Sequence, residues 1–102
     1  MAMRKAEAIA LLLSHADDLR RAGVAHVSLF GSVARDEAAP GSDVDLVLAG
    51  PPERPMTLFS MARAEALLER ILGRGVDLTS RQGLDNAPEF RARIQADLIP
   101  VF

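Results

Sequence analysis

Helical and extended signatures alternate along the chain, and the alternation predicts an α/β (α+β) fold: a small mixed sheet with helices packed against it. Three observations carry that expectation. Apolar residues recur at three- and four-residue spacing in two long segments, short β-rich runs lie between them, and Gly or Pro stands at most of the boundaries. No internal repeat or low-complexity tract interrupts the pattern.

The first segment, about Arg4 to Ala22, places Ile9, Leu12, Leu13, Ala16 and Leu19 on one helical stripe and ends at Gly23. His26-Val27-Ser28-Leu29-Phe30 then reads as a strand that enters a tight turn at Gly31-Ser32. Ser32 to Glu37 suits a short helix, and Ala39-Pro40-Gly41-Ser42 a loop. In Asp43-Val44-Asp45-Leu46-Val47-Leu48 acids and aliphatics alternate, so both carboxylates leave one face of a strand while Val44, Leu46 and Leu48 leave the other.

Thr57 offers an N-cap for a helix running to Leu72, with Leu58, Met61, Ala62, Leu68 and Leu72 near one face and Gly73 beyond its end. Gly75-Val76-Asp77-Leu78-Thr79 reads as a third strand. Asn86-Ala87-Pro88-Glu89 has the form of a capping box opening a last helix through about Ala96, and Leu98 to Phe102 suits a short edge strand.

At 102 residues the whole chain is expected to form a single domain, because a second core of useful size cannot be built from what one core leaves over. Hydrophobic residues make up 49% and charged residues 25%, the balance of a folded protein rather than a disordered one. A net charge of -2 argues against a broad cationic face for direct nucleic-acid binding. Cysteine is absent, which removes disulfides, thiolate metal sites and cysteine nucleophiles. The longest apolar run, Ile9 to Leu13, is far too short to cross a bilayer, so no membrane association and a cytoplasmic location are expected.

The chemistry concentrates between Gly31 and Leu46, joined about thirty residues later by Val76-Asp77-Leu78. A glycine after a strand lets backbone approach a ligand, and the amides that follow, with the Ser32 hydroxyl, supply donors for phosphate oxygens. Asp43 and Asp45 on one strand face, with Asp77 from a neighbouring strand, repel one another strongly unless a cation intervenes. An all-oxygen donor set favours a hard ion, Mg²⁺ or in its place Mn²⁺, and those ions also bridge the phosphates of a nucleoside triphosphate. In a two-metal arrangement, one ion acidifies the attacking hydroxyl and the other neutralises the departing pyrophosphate.

Taken together, Gly31-Ser32, the ten residues 33 to 42, and Asp43-x-Asp45 resemble the signature of the minimal nucleotidyltransferases of the DNA polymerase beta superfamily, typified by the antitoxin half of HEPN and MNT toxin-antitoxin pairs. Arg35 matches the basic residue common after the Gly-Ser, and the resemblance spans nearly the whole chain. It implies the polymerase beta-like nucleotidyltransferase topology. Asp43, Asp45 and Asp77 would be the metal-holding carboxylates, with Asp43 and Asp45 binding the metals and Asp77 assisting as third acid, by activating the attacking hydroxyl. Gly31 and Ser32 would hold the β- and γ-phosphates of ATP, and Arg35 would help neutralise them. The resemblance further implies transfer of AMP to a tyrosine hydroxyl of a HEPN-type ribonuclease toxin in a hetero-oligomer.

Two other functions belong to different classes. An antitoxin with a vestigial nucleotide site could mask its toxin by contact, although lost activity gives no reason to retain three mutually repelling carboxylates. Transfer to a small molecule such as an aminoglycoside lacks a second domain to form the other wall of a cleft. Arg35 is equally suited to an ion pair with Asp36 or Glu37, while Arg54 and Arg81 read as surface charges. His15 and His26 have no second ligand at metal spacing and read as structural. Leu11, Met56, Leu58 and Phe59 exceed what a small core needs, so part of that set is expected to form a patch for another chain.

Overall fold

A computed structural model describes residues 1–102. The elements run α1 (Lys5–Ser14), α2 (Ala16–Arg21), β1 (His26–Phe30), α3 (Gly31–Ala34), β2 (Val44–Ala49), α4 (Leu58–Leu72), β3 (Val76–Ser80), α5 (Arg81–Asp85), α6 (Pro88–Ile94) and β4 (Ile99–Pro100). Four strands form one sheet in the order β3-β2-β1-β4. It is mixed, as expected: β1 pairs antiparallel with β2 and β4, whereas β2 and β3 run parallel through the α4 crossover.

Side-chain alternation divides the sheet into two unlike faces. Val27, Leu29, Val44, Leu46 and Leu48 point to one face, where Ala8 and Leu12 of α1, Leu19 of α2, and Ala64, Leu68 and Leu72 of α4 close over them in the main core. The other face carries Phe30 and Val47, covered only in part by Leu84 of α5 and Ile94 of α6. Phe90 of α6 meets Phe30 edge-on at 6.0 Å between ring centres. The two acids of Asp43-x-Asp45 emerge on this thinly covered face.

Several boundaries differ from expectation. The first helix is broken at His15, where φ is -112° and ψ 17°. The Ser14 hydroxyl donates to Leu11 O at 2.9 Å, and the His15 backbone N–H is shared between Leu11 O and Leu12 O, so the ladder loosens there. Leu11, set off the stripe in a continuous helix, packs against the core, and Leu13, assigned to the stripe, is half exposed.

Helix α4 starts as expected. The Thr57 hydroxyl accepts from the Ser60 amide at 3.1 Å while the Ser60 hydroxyl accepts from the Thr57 amide at 2.7 Å, a reciprocal cap. Gly73 closes the helix in the left-handed region. That phase buries Ala64, Leu68 and Leu72 and leaves Leu58 and Ala62 exposed, contrary to their assignment to the inner face. Helix α5 was not foreseen. Ser80 caps it by accepting from the Gly83 amide at 3.0 Å. Asn86 consequently ends α5 instead of capping α6, which begins from Ala87 with Pro88 in its first turn and no side-chain cap. Only Ile99 and Pro100 of the expected edge strand are paired in the sheet, although backbone bonds to Val27 continue through Phe102.

Candidate functional site

Phe30 at the end of β1 stands opposite Asp45 of β2 in the antiparallel register. Asp45 stands beside Asp77 in the parallel register between β2 and β3. Asp43 lies two residues before Asp45, just ahead of β2, and so projects toward the same side. The fold thus brings the three expected acids and the Gly31 bend to one end of the sheet's thinly covered face.

Two glycines make the arrangement possible. Gly31 has φ +76°, and a Cβ there would overlap the Asp45 carboxylate. Gly75 precedes β3, and a Cβ there would overlap the Asp43 carboxylate. Each acid is thus seated against bare backbone of a neighbouring segment. The Gly-Ser motif points to Gly31, whereas Gly75 carries no signal beyond opening a strand, since nothing in the sequence shows which acid crosses from β2 to meet it.

Asp45 is half-buried, whereas Asp43 and Asp77 are exposed. The Asp45 carboxyl is pushed above its ordinary range, first by burial and then by the negative charges of Asp77 and Asp43, and Arg35 draws it partly back. This mutual repulsion is the electrostatic condition that a cation relieves. As the side chains stand, no three His, Asp or Glu groups enclose a metal position. The donor chemistry still suits a hard divalent ion: carboxylate oxygens on a common, accessible face, with no nitrogen or sulfur among them.

Gly31 opens the four-residue helix α3, and Ser32 beside it is half-buried. Arg35 sits at the end of α3. Its Nη1 donates to Asp97 Oδ2 at 2.7 Å, and its Nε lies 3.6 Å from Glu37 Oε2. The Asp97 bond is the main reason that the guanidinium is held still more firmly in its charged form. Of the two expected ion-pair partners, Glu37 is used and Asp36 is not. With φ +57°, Asp36 instead accepts the Lys5 amide at 2.7 Å and caps α1 from across the fold. Asp97, 62 residues away, carries no sequence signal that could have linked it to Arg35.

Beyond Asp45 the same face continues to Val47 and Ser28, which floor a concavity of about 470 Å³ walled by Arg81, Leu84, Arg91 and Gln95. Exposed Arg81, read as a plain surface charge, borders that concavity.

Residues 12–100 match the Nucleotidyltransferase domain family. A protein adenylyltransferase MntA of Thermococcus cleftensis is 41% identical over 86 residues, covering 82% of this chain and 85% of that protein. A Methanocaldococcus jannaschii chain, described as a protein adenylyltransferase candidate, is 33% identical over 76 residues, covering 74% of each. A solved structure described as a minimal nucleotidyltransferase superposes with a TM-score of 0.68 at 41% identity, covering 93% of this chain and 89% of that one. A match across most of the chain, at both sequence and fold level, is more than a shared architecture would produce. The chain belongs to the minimal nucleotidyltransferase family and is a nucleotidyltransferase.

Proposed function

We propose that residues 1–102 act as one catalytic domain in the cytoplasm, moving AMP from ATP to a hydroxyl of a partner protein. The partner is a HEPN-type ribonuclease toxin, the acceptor its tyrosine, and the consequence is an antitoxin effect. The observation that carries the reading is the Asp45–Asp77 register pair beside Gly31, with Asp43 at the strand entrance. The relatives' adenylyltransferase names support the choice of AMP and of a protein acceptor.

Each residue has a separable part. Asp43 and Asp45 hold Mg²⁺, or Mn²⁺ in its place. When bound, the ion screens the triphosphate charge and stabilises the departing pyrophosphate. Gly31 and Ser32 hold the β- and γ-phosphates at the backbone bend. Arg35, whose charge already reaches Asp45, adds positive potential beside them. The acceptor oxygen attacks the α-phosphorus, its proton passes to the Asp77 carboxylate, and the bond from the α-phosphorus to the bridging oxygen of pyrophosphate breaks. One phosphodiester is made, one phosphoanhydride is lost, and pyrophosphate leaves.

Incubation of the purified chain with the toxin, Mg²⁺ and labelled ATP tests this directly. The toxin should gain whole AMP units on tyrosine and lose ribonuclease activity, with EDTA blocking both. Silencing without any mass gain would support masking by contact and overturn the transfer reading.

A further inference from the structure

Strand β2 runs from its acids toward Ala49, so the chain enters α4 at the opposite end of the sheet, on the opposite face. There Leu58 and Phe59 are 91% and 84% exposed. Ala62 and Ala66, farther along α4, are exposed as well, so its outer face bears an apolar strip that nothing in the chain covers. Beside the strip lies a concavity of about 520 Å³ lined by Arg20, Arg21, Arg54 and Arg63. Arg20 and Arg21 pair with Asp17 and Asp18, whereas Arg54 and Arg63 hold no carboxylate. Phe59 and Arg63 are four residues apart on α4 and therefore neighbours on its surface. In a chain of net charge -2, this concentration of guanidinium groups runs against the overall balance.

We propose that this end of α4 docks the acceptor protein, through an apolar socket rimmed by carboxylates that receives Leu58 and Phe59 and pairs Arg54 and Arg63. Exposed aromatic and arginine side chains together are the usual anchors of protein interfaces. A second copy of this chain in antiparallel pairing does not fit. Along the strip, Arg63 and Arg70 flank one edge and Glu65 and Glu69 the other. Antiparallel pairing of two α4 helices sets like edge against like edge, whereas parallel pairing would set Arg63 against the other copy's Glu65, so self-association of the chain through this strip, read by sedimentation, is an outcome that overturns the docking surface. Nucleic acid would satisfy the arginines but leave Leu58 and the alanine strip exposed. Docking here keeps recognition away from the acids, so affinity and chemistry are set by different residues.

The proposal rests on the reading that the acceptor is a protein, and its test is binding without chemistry. The purified HEPN-type partner is titrated with the full chain in EDTA, without ATP, by calorimetry. The combined variant Phe59→Asp, Arg63→Glu should weaken the complex at least about tenfold. Arg54→Glu should weaken it less and flatten its salt dependence. Affinity for Mn²⁺ and ATP should stay within about twofold of the parent, which confirms that the variants are folded. A dissociation constant within about twofold of the parent in the combined variant overturns the docking surface, as does a parent chain that does not bind. Displacement of the partner by oligouridylate that binds the parent but not the arginine variants makes the surface a nucleic-acid site and also overturns it. AMP transfer is scored separately. Loss of binding in the variants with no AMP ever added sinks the transfer reading alone, and transfer with undiminished binding in the variants sinks the docking surface alone.

Discussion

Asp45 lies where sheet packing, a neighbouring backbone and two like charges meet, and its raised carboxyl pKa records all three. A carboxyl whose native pKa lies above its unfolded one is a burden in its charged form. Its contribution to stability is intact below about pH 4 and lost as pH rises through the native value. Asp45→Asn should therefore stabilise the EDTA-treated protein at neutral pH, by no more than about 1 kcal/mol given its partial solvent access, with the gain vanishing near pH 4. Thermal unfolding at the two pH values measures it. The same substitution, like Asp43→Asn, should lower AMP transfer by roughly a thousandfold or more, since on the proposed function it removes a carboxylate that would hold the metal. A variant that is more stable yet inactive separates the residue's catalytic part from its structural one; activity retained in both variants would sink the site assignment.

The two glycines make a second contrast at this scale. Gly31→Ala meets both an unfavourable positive φ and the Asp45 carboxylate, so it should cost about 1–3 kcal/mol and abolish transfer. Gly75→Ala meets Asp43 without that backbone strain, so its stability cost should be smaller while transfer still falls. Urea denaturation beside a transfer assay distinguishes them. Equal stability costs would mean that side-chain overlap, not backbone conformation, dominates at Gly31.

Among the elements, those with strong local signals were legible. Strands β1, β2 and β3 declared themselves by alternation, and α4 by its apolar spacing between Thr57 and Gly73. Thr57→Ala should cost about 1 kcal/mol by removing the acceptor for the Ser60 amide, measured as a lower urea midpoint with unchanged slope. What escaped reading was tertiary or competing. Ser14 and His15 divert the Leu11 carbonyl and split the first helix, a contest that apolar periodicity does not register. Helix α5 holds only five residues, one of them Gly83, and depends on the Ser80 cap. The candidate site is legible through Gly31, Asp43, Asp45 and Asp77, whose spacing is itself a signal. Its supports, Gly75 and Asp97, act across long sequence separations and carry none.

At the scale of the whole molecule, the sheet divides stability from chemistry. One face buries Leu46, Leu48 and Leu68 completely, and the other exposes the acids beside a thin cover of α5 and α6. Mutually repelling carboxylates are tolerable because the opposite face supplies the packing, and the thinly covered face leaves Asp43 and Asp77 accessible. Leu68→Ala tests that division. Removing a fully buried leucine from α4 should cost about 2–5 kcal/mol, a large share of the roughly 5–15 kcal/mol that stabilises a protein of this size. Transfer measured well below the unfolding midpoint and normalised to the folded fraction should nevertheless match the parent, because Leu68 packs on the face away from Asp45 and Asp77. A normalised rate that fell in step with stability would mean that α4 packing sets the register between β2 and β3, since α4 is the crossover joining the two strands that carry the acids.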